Sequence, residues 1–352
     1  MPLTLSAMAC VISNTTQSQY LMASHNLSTA KNFNSSDSCQ VSIWEWKEWE
    51  YTLQSIYIMA VGVIGIVENS LILIVMCLHK SCWTVPDIYL TNLAAADLLV
   101  LISLPFLAVS IAKHFHWPHG EFLCHYIGSL LSMNVYCSVF FLTMVSIDRY
   151  LALVKVLGHW RIRTTLCAKI NCFFIWTFGL FLSSPVTILN KIVRFDMNVT
   201  ICTLDYPNRT WYLLMETVQI VMLFLVPVVI ISFCTFHILK VLRNNQIKCF
   251  KQMRQGSKAI YLVLFVFLAF ILCWMPYHLL RLLRILGVLN VLPSCPWGIV
   301  IYNGLHIIVP LACTSSCINC IFYILMGKQF RKKVRELYIQ ATVRKRVITA
   351  CQ

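Results

Sequence analysis

Residues Leu123–Val154 read LCHYIGSLLSMNVYCSVFFLTMVSIDRYLALV, and from Leu123 to Ile147 the stretch holds no Asp, Glu, Lys or Arg. A helix needs about 20 predominantly apolar residues to cross a hydrocarbon core, so this run is long enough to span one. Six more runs of the same kind flank it, at Leu53–Leu78, Ile88–Ala112, Ala168–Leu189, Trp211–Val241, Ala259–Leu289 and Ile299–Met326. Membrane-spanning strands alternate apolar and polar residues, whereas these runs are continuous and end in basic clusters, so helices are expected. The fold class is therefore an all-α membrane protein. Residues 51–326 form a seven-transmembrane-helix bundle, 1–50 precede it, and 327–352 follow as a short amphipathic membrane-surface helix with a basic tail.

Composition agrees with that division. The 352 residues are 59% hydrophobic and 12% charged, about half the charge a soluble chain carries. The net charge of +15 would suit nucleic acid, but 20 of the 28 Lys and Arg fall on one side of the seven runs, from Lys80 to Arg346. That bias predicts a cytoplasmic carboxyl terminus, an extracellular amino terminus and a basic rim facing anionic lipid, with no nucleic-acid partner. Five glycosylation sequons, at Asn14, Asn26, Asn34, Asn198 and Asn208, all fall on the opposite, outer side. Met1–Cys10 has neither a basic start nor a cleavage site, so no removable signal peptide is expected. Of 17 cysteines, five lie outside (Cys10, Cys39, Cys124, Cys202 and Cys295), where an oxidising medium lets four of them pair. Beyond a sodium ion no cofactor or metal is expected, and no catalytic residue, because the chain has no HExxH, GxSxG or paired intramembrane aspartate.

Charge inside a hydrocarbon layer is costly and needs a reason. Asp97, in LAAAD, is isolated in the second run. It is either a buried carboxyl satisfied by hydroxyl and amide groups of neighbouring helices, or a sodium or proton site lined by Asn69, Asp97, Ser138 and Asn319. Glu68 beside Asn69 suits a polar interhelical contact. Asp148-Arg149-Tyr150 closes the third run, where a charged triplet is either an interfacial anchor or a switch.

Asn69, Asn92 to Asp97, Cys124, Asp148-Arg149-Tyr150, Trp176, Pro227 and Cys273-Trp274-Met275-Pro276 occur in the order and spacing of rhodopsin-like G-protein-coupled receptors. Finer stretches narrow the resemblance: CLHKS at 77–81, IYL at 88–90 with NLAAADL at 92–98, SIDRYLALVK at 146–155, VLRNN at 241–245 and GKQFRKK at 327–333. From about Cys39 to Tyr338 the chain resembles the bradykinin receptors, and their type 2 members above all. Ser132 supports type 2, since type 1 receptors place a lysine there.

The resemblance implies a plasma-membrane receptor that binds a peptide outside and couples inside to a heterotrimeric G protein of the phospholipase-activating class, with calcium release. Arrestin is a further partner, although the tail offers few Ser and Thr. Phe270, Trp274 and Pro276 would form the activation switch with Asp148, Arg149, Tyr150, Asn319 and Tyr323, and Ser132, Asn134, Glu216, Arg281, Arg284 and Tyr302 the ligand pocket. The family pattern also implies disulfides Cys124–Cys202 and Cys39–Cys295, and Cys351 is a palmitoylation candidate. Four positions depart from the family. Arg284 and Tyr302 stand where acids greet a dibasic ligand; Arg284 either reverses the charge there or turns out to the lipid headgroups. Glu216, Asp205 and Asp196 are the substitute acids. Cys320 replaces the proline after Asn319, which removes a helix bend that Pro310 supplies earlier, and Gly256 replaces an acidic partner of Arg149. The alternatives are a receptor of this scaffold reading a different, acidic peptide, and a polytopic transporter, which would show repeats and interrupted helices that the chain lacks.

Overall fold

The computed structural model describes residues 47–79, 82–154, 163–196, 199–245, 250–326 and 328–350. Helix α1 spans Glu48–Leu78, α2 Val85–Leu101, α3 Leu104–Ala112, α4 Gly120–Leu153 and α5 Thr165–Leu189. Strands β1 (Asn190–Asp196) and β2 (Val199–Leu204) form an antiparallel hairpin. Helix α6 (Arg209–Ile220) runs through a π-helical turn, Val221–Leu225, into α7 (Val226–Asn245). Then come α8 (Phe250–Val288), α9 (Ser294–Cys313), α10 (Ser315–Met326) and α11 (Lys328–Ala350). Seven stretches are long and apolar enough to cross a membrane. The second, fifth and seventh are built from the pairs α2–α3, α6–α7 and α9–α10.

The breaks within spans have local causes. Proline lacks an N–H, and its ring displaces the carbonyl four residues earlier. Pro105 stands in the first turn of α3, and α2 ends at Leu101, four residues before it. Ser103 between them donates its hydroxyl to the Val100 carbonyl at 2.6 Å. Pro310 lies inside α9, which continues past it to Cys313, and the seventh span is interrupted at Thr314, four residues beyond. The carbonyl opposite Pro310, that of His306, accepts a hydrogen bond from Gln54 Nε2 of the first span at 3.1 Å. Cys320 lies inside the regular helix α10, fully buried, and the interruption of this span at Thr314 comes before it.

The third span is the central strut: 78% of its apolar window is buried, against 28% for the fourth. Phe173, Phe174, Phe181 and Ile188 of the fourth stand out from the bundle, where lipid is the only apolar solvent available to them. Two packed layers fill the interior. One holds Leu104, Leu131, Tyr136, Trp274, Tyr277 and Leu305, and the other Ile72, Leu93, Phe141, Ile175 and Cys320.

The hairpin is the one non-helical regular element among the described residues, and the apolar runs gave no sign of it. A Cys124–Cys202 disulfide ties β2 to the start of the third span. Gly128 lies one turn below: a Cβ there would fall 2.0 Å from Asn190 Nδ2, so any side chain at this position would force the buried Asn190 amide to move. At the opposite end α11 runs 23 residues, much longer than the short helix expected. Its sequence contains no Pro or Gly and is rich in Arg and Lys, good helix formers, so nothing local stops it. It is also held by more than an apolar face, since Lys333 Nζ reaches Asp87 Oδ2 at 2.9 Å and His79 Nε2 meets Glu336 Oε2 at 2.8 Å.

Candidate functional site

At the lower end of the third span Asp148 is buried between two guanidinium groups. Arg163 Nε donates to Asp148 Oδ1 at 2.8 Å, and Arg149 Nη2 lies 3.3 Å from Oδ2. Tyr150 packs its ring against Phe233 and His237 of the fifth span. Higher in the bundle Phe270 stacks on Phe224 with centroids 6.4 Å apart, and Trp274, a turn above, stacks on His278 at 6.0 Å and meets Tyr277 edge-on. Pro276 lies in the same helix. Tyr323 and Gly256 lie on helices whose side chains at those points are outside the described residues.

Midway, Asp97 is fully buried and accepts four hydrogen bonds. Oδ1 accepts from Ser316 Oγ (2.7 Å), Ser138 Oγ (3.1 Å) and Asn134 Nδ2 (3.3 Å), and Oδ2 from Asn319 Nδ2 (3.1 Å). Two expectations need correction here. Asn134 belongs to this cluster rather than to the ligand pocket, because it lies one helical turn from Ser138 and shares its face. Asn69 does not hydrogen-bond Asp97: its amide turns back on the Gly65 carbonyl at 2.9 Å, one turn away on its own helix. The side-chain oxygens of both Asn134 and Asn69 are buried without a partner. Hard cations take oxygen ligands, so a carboxylate, two hydroxyls and an orphaned amide oxygen are a donor set that fits a sodium ion.

The hairpin end carries a third cluster. Tyr212, Glu216 and Gln219 follow one another at i, i+4 and i+7 on the fifth span, and Tyr277, Arg281 and Arg284 repeat that spacing on the sixth. The two polar faces meet. Glu216 Oε2 accepts from Arg281 Nε at 2.5 Å, and Oε1 from Arg284 Nη2 at 2.9 Å. Arg281 Nη1 donates to Tyr277 OH at 3.0 Å and to Gln219 Oε1, while Arg284 Nε donates to Tyr212 OH at 2.5 Å. Both guanidinium groups also lie over tyrosine rings, at 5.5 and 5.2 Å from the centroids of Tyr277 and Tyr212. Arg284 therefore turns into the bundle instead of out to the headgroups. Glu216 is no spare acid for a cationic ligand, since both of its oxygens are taken. Asp205, another substitute, pairs with Lys191 at 2.9 Å, and the side chain of Asp196 is outside the described residues. Ser132 is fully buried on the third span, while the side chain of Tyr302 is not among those described.

A family model described as 7 transmembrane receptor (rhodopsin family) matches residues 68–323. The chain is 41% identical to the B2 bradykinin receptor of Oryctolagus cuniculus over 320 residues, covering 90% of this chain and 87% of the relative. It is 40% identical to the B2 bradykinin receptor of Homo sapiens over 297 residues (84% of this chain, 76% of the relative). Against the B1 bradykinin receptor of Tupaia minor it is 34% identical over 300 residues (84% and 85%). This chain belongs to the bradykinin-receptor branch of the rhodopsin family.

Several residues of this receptor that hold its polar clusters were missed in the sequence. Arg163 sits in a loop, fifteen residues from the carboxylate it binds, and nothing local marks it. Ser316 closes the Asp97 cluster from the seventh span, across a contact no spacing on one helix reveals. Tyr212, Gln219 and Tyr277 did have a signal in the paired i, i+4, i+7 spacing. Of the expected covalent features, Asn14, Asn26, Asn34, Asn198, Cys39 and Cys351 lie outside the described residues, as does the side chain of Cys295. Asn208 is exposed and caps α6, its side-chain oxygen accepting from the Trp211 N–H at 2.9 Å. That bond leaves the amide nitrogen, the atom a glycan would join, uncommitted.

Proposed function

We propose that this receptor is displayed at the cell surface with its amino terminus outside, binds a peptide at the hairpin end, and couples through the Asp148 end to a phospholipase-activating heterotrimeric G protein, releasing calcium. The observation that carries the reading is likeness to bradykinin receptors over nine-tenths of the chain, with the Asp148–Arg149 pair standing where the family pattern puts its G-protein switch. A ligand can only shift the populations of two helix arrangements if it binds one of them better. The packed column Phe224–Phe270 and His278–Trp274 links the peptide end to the sixth span around Pro276, below which that span would swing. Arg149 would then leave Asp148 for the G-protein cavity. Arrestin and anionic lipid are further partners, met by the same basic surface.

Calcium release in transfected cells, with bradykinin among a panel of unrelated peptides, tests the reading. Bradykinin itself is expected to act at least about tenfold more weakly than on its usual receptors, because two arginines occupy the pocket that would meet its own. If no peptide raises calcium while the chain reaches the surface, the reading falls.

Two substitutions probe the switch. Asp97, Ser138, Ser316 and Asn134 would hold a sodium ion, which would neutralise the buried carboxylate and favour the inactive arrangement. Asp97→Asn is expected to abolish any effect of sodium on agonist affinity. Equal sodium sensitivity in the variant contradicts the site. Arg163 competes with Arg149 for Asp148, so Arg163→Ala should leave the carboxylate to Arg149 and lower ligand-independent inositol phosphate production. For a partly exposed pair worth about 1 kcal/mol the fall is roughly fivefold. An unchanged or higher basal signal removes Arg163 from the switch.

A further inference from the structure

The Arg281–Glu216–Arg284 cluster is more than a structural tie. The carboxylate divides its two oxygens between both guanidinium groups, so neither has a carboxylate to itself. All three side chains are enclosed, at 6%, 1% and 12% exposure. A guanidinium has five N–H donors in a planar fork. Arg281 spends its Nε on Glu216 and its Nη1 on Gln219 and Tyr277, and among the described residues its Nη2 donates to nothing. Glu216 cannot receive a cationic ligand without giving up one of these partners, and an approaching cation would meet two positive charges first.

A second observation lies one turn deeper. His278 is 2% exposed and neither ring nitrogen has a hydrogen-bond partner. Its ring is stacked between Phe224, with centroids 5.1 Å apart, and Trp274 at 6.0 Å. The Ser132 hydroxyl is also buried without a partner. Orphaned polar atoms at such depth are rare, since each forfeits the hydrogen bonds it had in water. His278 stands on the sixth span against Trp274, one turn below Arg281, and Ser132 on the third span. A neutral imidazole offers one donor and one acceptor, which suits a peptide group.

We infer that the Arg281 fork, with Arg284 beside it, docks a carboxylate of the ligand, and that His278 hydrogen-bonds the adjoining peptide group directly above Trp274. The ligand is then a peptide that is anionic at the end entering the bundle, the reverse of a peptide that presents arginine there. The proposal rests on the peptide-receptor reading above and names the ligand class for the same site. A carboxylate brings the cluster of two cations and one anion to neutrality and takes charge-assisted bonds from a fork whose geometry matches it.

The test uses cells expressing the full chain and three nonapeptide libraries of equal apolar content, whose charged positions carry glutamate, lysine or glutamine. The glutamate library is expected to release calcium at concentrations at least about tenfold lower than either of the others, the worth of a charge-assisted pair. Arg281→Gln should erase that advantage. If this variant fails to reach the surface, Arg281→Lys keeps the charge without the fork, and is expected to narrow the advantage while keeping its sign. His278→Phe, which preserves the stack, should weaken the response to the glutamate library alone. Lysine or glutamine libraries as potent as glutamate overturn the anion site and leave the peptide-receptor reading standing, as does a glutamate preference untouched by the Arg281 variants. Silence with all three libraries overturns both.

Discussion

Glu216→Gln is expected to cost the receptor about 3–5 kcal/mol of stability, the usual penalty for removing one partner of a buried ion pair. The amide keeps the size and one acceptor, but Arg281 and Arg284 would be left as two enclosed cations without a carboxylate between them. The bilayer sharpens the penalty, because hydrocarbon offers no solvent for an unpaired charge. Thermal unfolding of the purified chain in lipid discs should show a large drop, accompanied by poor surface expression. Replacing Glu216, Arg281 and Arg284 together by leucine is expected to restore stability, since an apolar triad needs no counter-ion, while removing the response to peptide. A Glu216→Gln chain as stable as the parent would mean that Arg284 and Arg281 find other partners and that the cluster is not a closed electrostatic unit.

Cys202→Ser should be the other severe change. The Cys124–Cys202 disulfide closes a loop of 78 residues, for which the chain-entropy argument gives about 4.5 kcal/mol, reduced where the bilayer already restrains the unfolded chain. The bond also tethers β2 to the third span; beside it the hairpin is held by the Trp117 N–H, in the loop before that span, on the Thr200 carbonyl at 2.7 Å, and by the close approach of Asn190 to Gly128. Losing it should let the hairpin lift from the pocket rim, so peptide-evoked calcium release falls further than surface expression does. A response equal to the parent's in Cys202→Ser, or both cysteines mapped as free thiols in the parent, contradicts this role.

The seven spans were legible because hydrocarbon leaves a chain few options: every backbone group must be satisfied within the segment, so long apolar runs become helices. The Asp97 cluster was half legible. An isolated carboxyl in an apolar span announces that partners exist, and Ser138 and Asn319 were among those expected, but which amides face it depends on the rotation of each helix. For that reason Asn134, expected elsewhere, faces Asp97, and Asn69, expected there, does not bond it. The hairpin was not legible, since Asn190–Leu204 is short and shows weak alternation, and the disulfide that holds it against the third span joins residues 78 apart. The length of α11 was not legible, because a basic tail without Pro or Gly is equally a disordered tail by sequence, and Asp87 and His79, which hold it, lie far away in the chain. The departure at Arg284 was visible as a charge of the wrong sign. Its partner was visible only as a possibility among three acids, because the sequence does not say which face of the fifth span meets the sixth.

The most direct measurement is nucleotide exchange on a purified phospholipase-activating heterotrimer, catalysed by the purified receptor in lipid discs with and without an activating peptide. Exchange accelerated by the peptide in the parent chain, and lost in Arg149→Ala at equal peptide affinity, is the expected result. Peptide binding without any acceleration of exchange, or acceleration that survives in Arg149→Ala, would contradict the assignment of ligand end and coupling end made here.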